Sequence, residues 1–202
     1  METKENTTIT IRKSNVLAAY KSAKEEANQG KLDLLEAMFG KRLFEPEDVR
    51  ERIKTFDDAY RELNDRHQGI NGLAHPLCLA YDRNEIEDKD VIAYLKLRII
   101  CAALNEGWTP QFTTDEYRYY PWFWLYTKDE YNSLDNETKS RVVCRSYDDA
   151  NAGGGVSCAN SSYDSGSVSA SIGSRLAFKS RELSRYAGEQ FIDIWADFLF
   201  LV

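Results

Sequence analysis

The chain has 202 residues, of which 43% are hydrophobic and 29% charged, and its formal net charge is −7. These values are typical of a globular protein with a buried core and argue against wholesale disorder. The excess of acidic residues makes duplex nucleic acid an unfavourable partner. No apolar run is long enough to span a membrane, and the polar amino terminus lacks the hydrophobic segment of a secretory signal.

The first half of the chain is predicted to be helical, because apolar residues recur at spacings of three and four. Helices are predicted at residues 14–28, 32–39, 46–54, 55–64 and 91–104. Thr55 and Asp58 have the spacing of a capping box, and Gly30 and Gly107 are each expected to end a helix. The last helix is apolar on most sides, which is typical of a central position. We therefore expect a helical region over residues 1–107.

The second half has the pattern of a small antiparallel sheet followed by a helix. Strands are predicted at residues 117–126, 141–147, 156–162 and 168–178, with the last two paired as a hairpin. Apolar residues at helical spacing predict a helix over residues 180–199 that covers one face of the sheet. The predicted fold class is α+β, with residues 108–202 forming the sheet and its helix in one compact unit with the preceding helices.

The first predicted strand is rich in aromatic side chains that alternate between its two faces. One row is Tyr117, Tyr119 and Phe123, and the other row is Tyr120, Trp122, Trp124 and Tyr126. We expect one row to pack on the carboxy-terminal helix and the other to pack beneath the preceding helices. An exposed second row would instead be a stacking platform for sugars or bases.

Residues 140–178 have an unusual composition. They contain no Lys, Glu, Gln, Met or Trp, although these five types make up about a fifth of the chain. Ser, Gly, Ala, Asn, Asp and Tyr are abundant instead. One interpretation is a low-complexity surface loop that keeps the protein soluble. A second is a recognition surface, because tyrosine offers a large stiff contact and the small polar residues offer adaptable hydrogen bonds.

A third interpretation is genetic. Every residue type in this stretch can be reached by changing the adenines of AAY asparagine codons. The stretch therefore resembles the variable region of proteins diversified by retroelements, in which a ligand-binding surface is rewritten over a fixed scaffold. The second and third interpretations predict the same class of function.

Four sequence blocks lie around or overlap this stretch, at residues 53–63, 104–108, 119–123 and 173–191. With their Tyr-Pro-Trp-Phe and Gly-Ser-Arg-Leu motifs, they resemble a family of small hypothetical proteins from gut Bacteroidales genomes and their phages. The resemblance covers residues 53–200 and implies a phage or mobile-element context, with a variable stretch before the second motif. It implies no established activity and transfers no catalytic residue.

The sequence offers little catalytic chemistry. Its four cysteines form no C-x-x-C pair and are expected to be reduced thiols. His67 and His75 are expected at the surface and in a turn, and Asp58 and Glu62 are expected to be helix charges offset by neighbouring arginines. Residues 153–155 are three glycines without the lysine or helix start of a P-loop, so they predict a turn. We predict a non-enzymatic protein with no metal or cofactor.

The sequence therefore favours a binding protein of phage or mobile-element origin, located in the cytoplasm or on a virion, whose ligand is a protein or a carbohydrate. The predicted contact residues are Arg145, Tyr147, Asp148, Asn151, Asn160, Ser162, Tyr163, Ser167, Ser169 and Ser171. The alternative is an intracellular protein that sequesters a small molecule or nucleotide. Its pocket is expected between the glycine turn and the aromatic row, with Arg145 or Arg175 binding the anion.

Overall fold

The computed structural model describes residues 9–111, 113–144, 155–164 and 174–200. The chain forms two compact units, one ending at Glu47 and the other beginning at Asp48. No helix within the described ranges is both long and apolar enough to cross a membrane.

The first unit is a helical hairpin of α1 (Lys13–Glu25) and α2 (Gln29–Phe39), followed by a 3-10 turn (Lys41–Phe44). The Tyr20 ring stacks on Phe44 at 3.9 Å between centroids, and its hydroxyl donates to Glu36 at 2.6 Å. Gly30 was expected to end the first helix, which is wrong. The chain reverses earlier because the Asn28 side chain accepts from the backbone N–H of Lys31 and so begins α2.

The second unit begins with four helices, α3 (Val49–Arg52), α4 (Phe56–Asn71), α5 (Pro76–Asp82) and α6 (Lys89–Leu104). The capping box of Thr55 and Asp58 is confirmed at the start of α4. The central position of α6 is also confirmed, since Leu97, Ile99 and Leu104 are almost wholly buried. No helix was predicted at α5, which begins at Pro76, where the missing N–H of proline costs nothing.

Three described strands form an antiparallel sheet in the order β1 (Arg118–Tyr126), β3 (Gly155–Asp164), β2 (Val143–Cys144). Two short helices, α7 (Lys128–Ser133) and α8 (Asn136–Lys139), connect β1 to β2. The register of β1 and β3 shifts once: Trp122 pairs with Asn160, whereas Phe123 pairs with Cys158, so β3 has one extra residue.

The carboxy-terminal part of the predicted strand 168–178 differs from expectation. Ser174–Leu176 is a 3-10 turn, and Phe178 forms an isolated bridge with Tyr119 of β1 instead of extending a hairpin from β3. The alternation of buried and exposed side chains expected for a strand is absent at these positions, because Leu176, Ala177 and Phe178 are all buried. The remainder of that prediction, residues 168–173, lies outside the described residues.

The predicted helix over residues 180–199 covers the sheet but is divided into α9 (Arg181–Gln190) and α10 (Ile192–Leu199). Phe191, at φ −112° and ψ 29°, leaves the helical conformation and separates the two. The α9 helix packs on β1 and β3, and α10 packs mainly on α6. The fold is therefore α+β, with a helical first half, a small antiparallel sheet and carboxy-terminal helices on that sheet.

Candidate binding surface

The predicted contact residues that the structure describes lie together on β3. Asn160, Ser162 and Tyr163 are all exposed, and they stand opposite Trp122, Tyr120 and Tyr119 of β1. The other seven predicted residues, Arg145, Tyr147, Asp148, Asn151, Ser167, Ser169 and Ser171, lie outside the described residues, as do the first two glycines of the predicted turn.

Two tryptophans of β1 are exposed beside Asn160. Trp122 is 40% exposed and Trp124 is 54% exposed, and their rings meet edge to face with centroids 4.5 Å apart. The expectation that this row packs beneath helices is therefore wrong for both tryptophans, whereas Tyr120 of the same row is buried. The face of the sheet is covered at its Tyr120 end and open towards Trp124. We call Trp122, Trp124 and Asn160 the tryptophan patch.

The row of Tyr117, Tyr119 and Phe123 also packs on the core at one end and is exposed at the other. Phe123 packs on Trp195 of α10 at 5.2 Å between centroids, as predicted for a core row. Tyr117 is 50% exposed and meets Tyr163, 53% exposed, edge to face at 5.2 Å. This end of the sheet therefore presents a second aromatic group, which combines flat apolar rings with hydroxyls that can donate and accept hydrogen bonds.

A cleft of about 780 Å³ adjoins the tryptophan patch. Its lining includes Trp124, Arg141 at the end of α8, Ser157 and Cys158 of β3, and Arg185 and Glu189 of α9. Arg185 donates to Glu189 at 2.8 Å across one turn of α9. The cleft thus offers one aromatic wall and paired charges of both signs, a combination that suits a polar ligand with apolar faces.

The sheet is supported from behind by α9. The buried hydroxyl of Ser161 lies 2.9 Å from that of Ser184, which joins β3 to the helix. Gly188 allows the helix to approach closely, since a Cβ atom there would lie 2.5 Å from the Cys158 sulfur and 3.0 Å from the Pro121 Cβ. The exposed side chains on β1 and β3 therefore stand on a rigid base.

Burial disfavours the reactive thiolate form of Cys158 and Cys101. None of the four cysteines forms a disulfide. Burial raises the pKa of Cys158 to about 11, with a further contribution from the Glu189 carboxylate, and burial raises the pKa of Cys101 to about 12. Such thiols stay protonated at neutral pH, whereas the thiolate is the nucleophile and the metal ligand.

The histidines act structurally. His75 is the cap of α5, because its Nδ1 accepts from the backbone N–H of Leu77 at 3.1 Å. Burial lowers its pKa, and the His67 ring, whose centroid is 5.0 Å away, adds to this effect. Within the described ranges, no group of three or more His, Cys, Asp or Glu side chains is placed to hold a metal ion.

Asp58 and Glu62 are both engaged in hydrogen bonds and ion pairs within the fold. Asp58 accepts from the Thr55 backbone and from Arg61, and Glu62 pairs with Arg52 and Arg66. The expectation that neighbouring arginines offset both charges is confirmed.

Exposure of the two tryptophans was only the alternative expectation for their row, and no role was predicted for the Arg185–Glu189 pair. Their spacings contained the signal, because residues two apart share a face of a strand and residues four apart share a face of a helix. Most of the glycine turn lies outside the described residues, so the pocket expected beside it stays a prediction. Arg175, one of the two anion-binding candidates, lines a different cleft together with Arg98 of α6. Comparisons of the chain with protein-family models, with curated proteins and with solved structures gave no match.

Proposed function

We propose that the protein is a non-enzymatic binding protein whose protein or carbohydrate ligand contacts the tryptophan patch and the cleft beside it. The observation that carries the proposal is the exposure of two neighbouring tryptophans on a rigid strand. Trp122 is 40% exposed to solvent and Trp124 is 54% exposed. Large aromatic side chains are seldom left in water, and Trp and Tyr dominate the energetics of recognition surfaces.

The neighbouring residues support this role. Asn160, directly opposite Trp122, offers amide hydrogen bonds at the edge of an aromatic contact, and the exposed Ser162 lies two residues further along the same face of β3. Tyr163 is exposed on the other face. Aromatic rings that stack on a ligand, together with adaptable amide and hydroxyl groups, are the composition of natural paratopes and of sugar-binding faces. The resemblance to proteins of Bacteroidales phages makes bacterial surface glycans and proteins the first ligands to test.

The experiment measures binding of the fluorescently labelled protein to an array of bacterial surface polysaccharides and to intact Bacteroidales cells, before and after protease treatment of the cells. Saturable binding that survives protease identifies a carbohydrate, and binding that protease abolishes identifies a protein. Two single variants, Trp122→Ala and Trp124→Ala, are each expected to weaken binding at least about tenfold, as truncation of a central aromatic contact does.

The matched control is Ile70→Ala, which removes an exposed apolar side chain on α4, 77% open to solvent, away from the tryptophan patch. This variant should bind as the unmodified protein does. The proposal fails if a folded Trp122→Ala, Trp124→Ala double variant binds its ligand as tightly as the unmodified chain, or if neither array nor cells show saturable binding.

A further inference from the structure

A second cleft, of about 370 Å³, lies in another part of the same unit. It is bounded by α6, by the segment Trp108–Pro110 and by the 3-10 turn that begins at Ser174. Arg98 of α6 and Arg175 of the 3-10 turn are among its lining residues. We call it the arginine cleft. Its volume is at the lower end of the range for small-molecule sites.

The charge in the arginine cleft is unbalanced. None of its described lining residues is acidic. Within the described part of the chain, neither guanidinium forms a hydrogen bond or an ion pair; Arg98 lies over the Tyr94 ring at 5.8 Å. By contrast, Arg52, Arg66 and Arg185 of this unit each pair with a glutamate. Two uncompensated positive charges in one concavity of a protein with net charge −7 favour an anionic ligand.

The polar side chains at the base of the arginine cleft are held by hydrogen bonds within the protein. The Asn105 amide donates to the Ala177 carbonyl at 2.8 Å and accepts from the Lys179 backbone N–H at 3.0 Å. The Cys101 thiol donates to the same carbonyl at 3.1 Å. These groups have their partners, so the two arginines are the cationic donors of the lining, beside the hydroxyls of Thr109 and Ser174.

One wall is flat and apolar. The indole N–H of Trp108 donates to Glu116 at 3.0 Å, which holds the ring in place, and Pro110 lies beside it in the lining. A planar ligand group can pack against such a wall while its anionic end reaches the arginines.

The geometry points to a binding site for a small phosphate monoester with a planar group, of the size of a mononucleotide, in the arginine cleft. A phosphate monoester carries close to two negative charges at neutral pH, which two guanidinium groups neutralise, and guanidinium forks match phosphate oxygens in pairs. The site is independent of the tryptophan patch.

The test titrates the full chain with adenosine monophosphate and, separately, with inorganic phosphate by isothermal calorimetry. The unmodified protein should bind adenosine monophosphate saturably, and Arg98→Gln and Arg175→Gln should each weaken this binding about tenfold or more, the usual effect of losing a charged hydrogen bond. Arg185→Gln is the matched control, because its guanidinium lies in the other cleft.

A third variant separates the two sources of phosphate. Trp108→Phe should weaken binding of adenosine monophosphate and leave binding of inorganic phosphate unchanged if the planar group packs on the wall. Equal affinities for the two probes in the unmodified protein would show a site for free phosphate and overturn the monoester assignment. Absence of saturable binding by either probe, or undiminished binding in folded Arg98→Gln and Arg175→Gln variants, would overturn the anion site itself.

Discussion

At the scale of single residues, Glu106 is the centre of an ion-pair network in the second unit. Its carboxylate accepts from Arg52 at 2.6 Å and from Lys179 at 3.0 Å. These contacts place α3, the end of α6 and the segment before α9 in one network. Glu106 adopts a left-handed backbone conformation, φ 52°, which a non-glycine residue adopts at some cost.

Glu106→Gln should destabilise the protein by about 1–2 kcal/mol, between the values for exposed and buried ion pairs. Partial burial opposes ionisation of Glu106, but hydrogen bonds from Lys179 and Arg52 outweigh it and lower its pKa. The contribution of the carboxylate is therefore present at neutral pH and is lost as the pH falls below the ordinary glutamate pKa of about 4.3 and through the lowered one. Urea unfolding from neutral pH to acid should show that the difference between unmodified protein and variant shrinks.

The control for this prediction is Glu137→Gln, which breaks the exposed ion pair with Arg141. Both side chains are more than two-thirds exposed, so the free energy of unfolding should change little. A Glu106→Gln variant as stable as the control would show that the network contributes nothing.

At the scale of elements, the contact of α9 with the sheet depends on Gly188. Gly188→Ala should destabilise the protein by about 1–3 kcal/mol, because the added methyl group overlaps the Cys158 sulfur and the helix must move away. Thermal unfolding measures the loss. Adding Cys158→Ala to Gly188→Ala should recover part of it, because the nearest clashing atom is removed.

Gly69 is the matched comparison, since it also lies within a helix but a Cβ there would meet nothing within 4 Å. Gly69→Ala should therefore stabilise α4 by up to about 1 kcal/mol through helix propensity. If the two substitutions had the same effect, steric contact at Gly188 would not be the cause.

Elements formed by interactions between residues close in sequence were predicted correctly, whereas elements that depend on residues distant in sequence were not. The capping box at Thr55 and the apolar α6 depend on neighbours in sequence, and both were predicted. The division of the last helix at Phe191 and the bridge from Phe178 to Tyr119 depend on distant partners that periodicity does not identify. For the same reason the spacing of Trp122 and Trp124 predicted that they share a face of β1, whereas their exposure depends on which distant elements cover that face and was not predictable.

At the scale of the whole molecule, the recognition hypothesis predicts a pattern of variation. If β3 presents a diversified surface, sibling copies in one genome should differ at the exposed Asn160, Ser162 and Tyr163. They should agree at Val156 and Ser161, which are buried. Sequencing the copies checks this, with substitutions expected at AAY-type codons. Differences spread evenly along the chain would contradict diversification, while leaving the tryptophan patch to be tested by its own variants.

The register shift between β1 and β3 has a consequence for such variation. On its two sides, Cys158 points towards the helices whereas Asn160 points to solvent, although a regular strand would send residues two apart in the same direction. Deleting the extra residue would make the pairing regular without reversing either side chain, because consecutive residues of a regular strand also point to opposite faces. A further residue inserted here would instead turn one half of the strand over, burying asparagine or exposing cysteine. Substitutions at the outward positions of this strand, and loss of the extra residue, therefore keep its two faces as they are, whereas an added residue exchanges them.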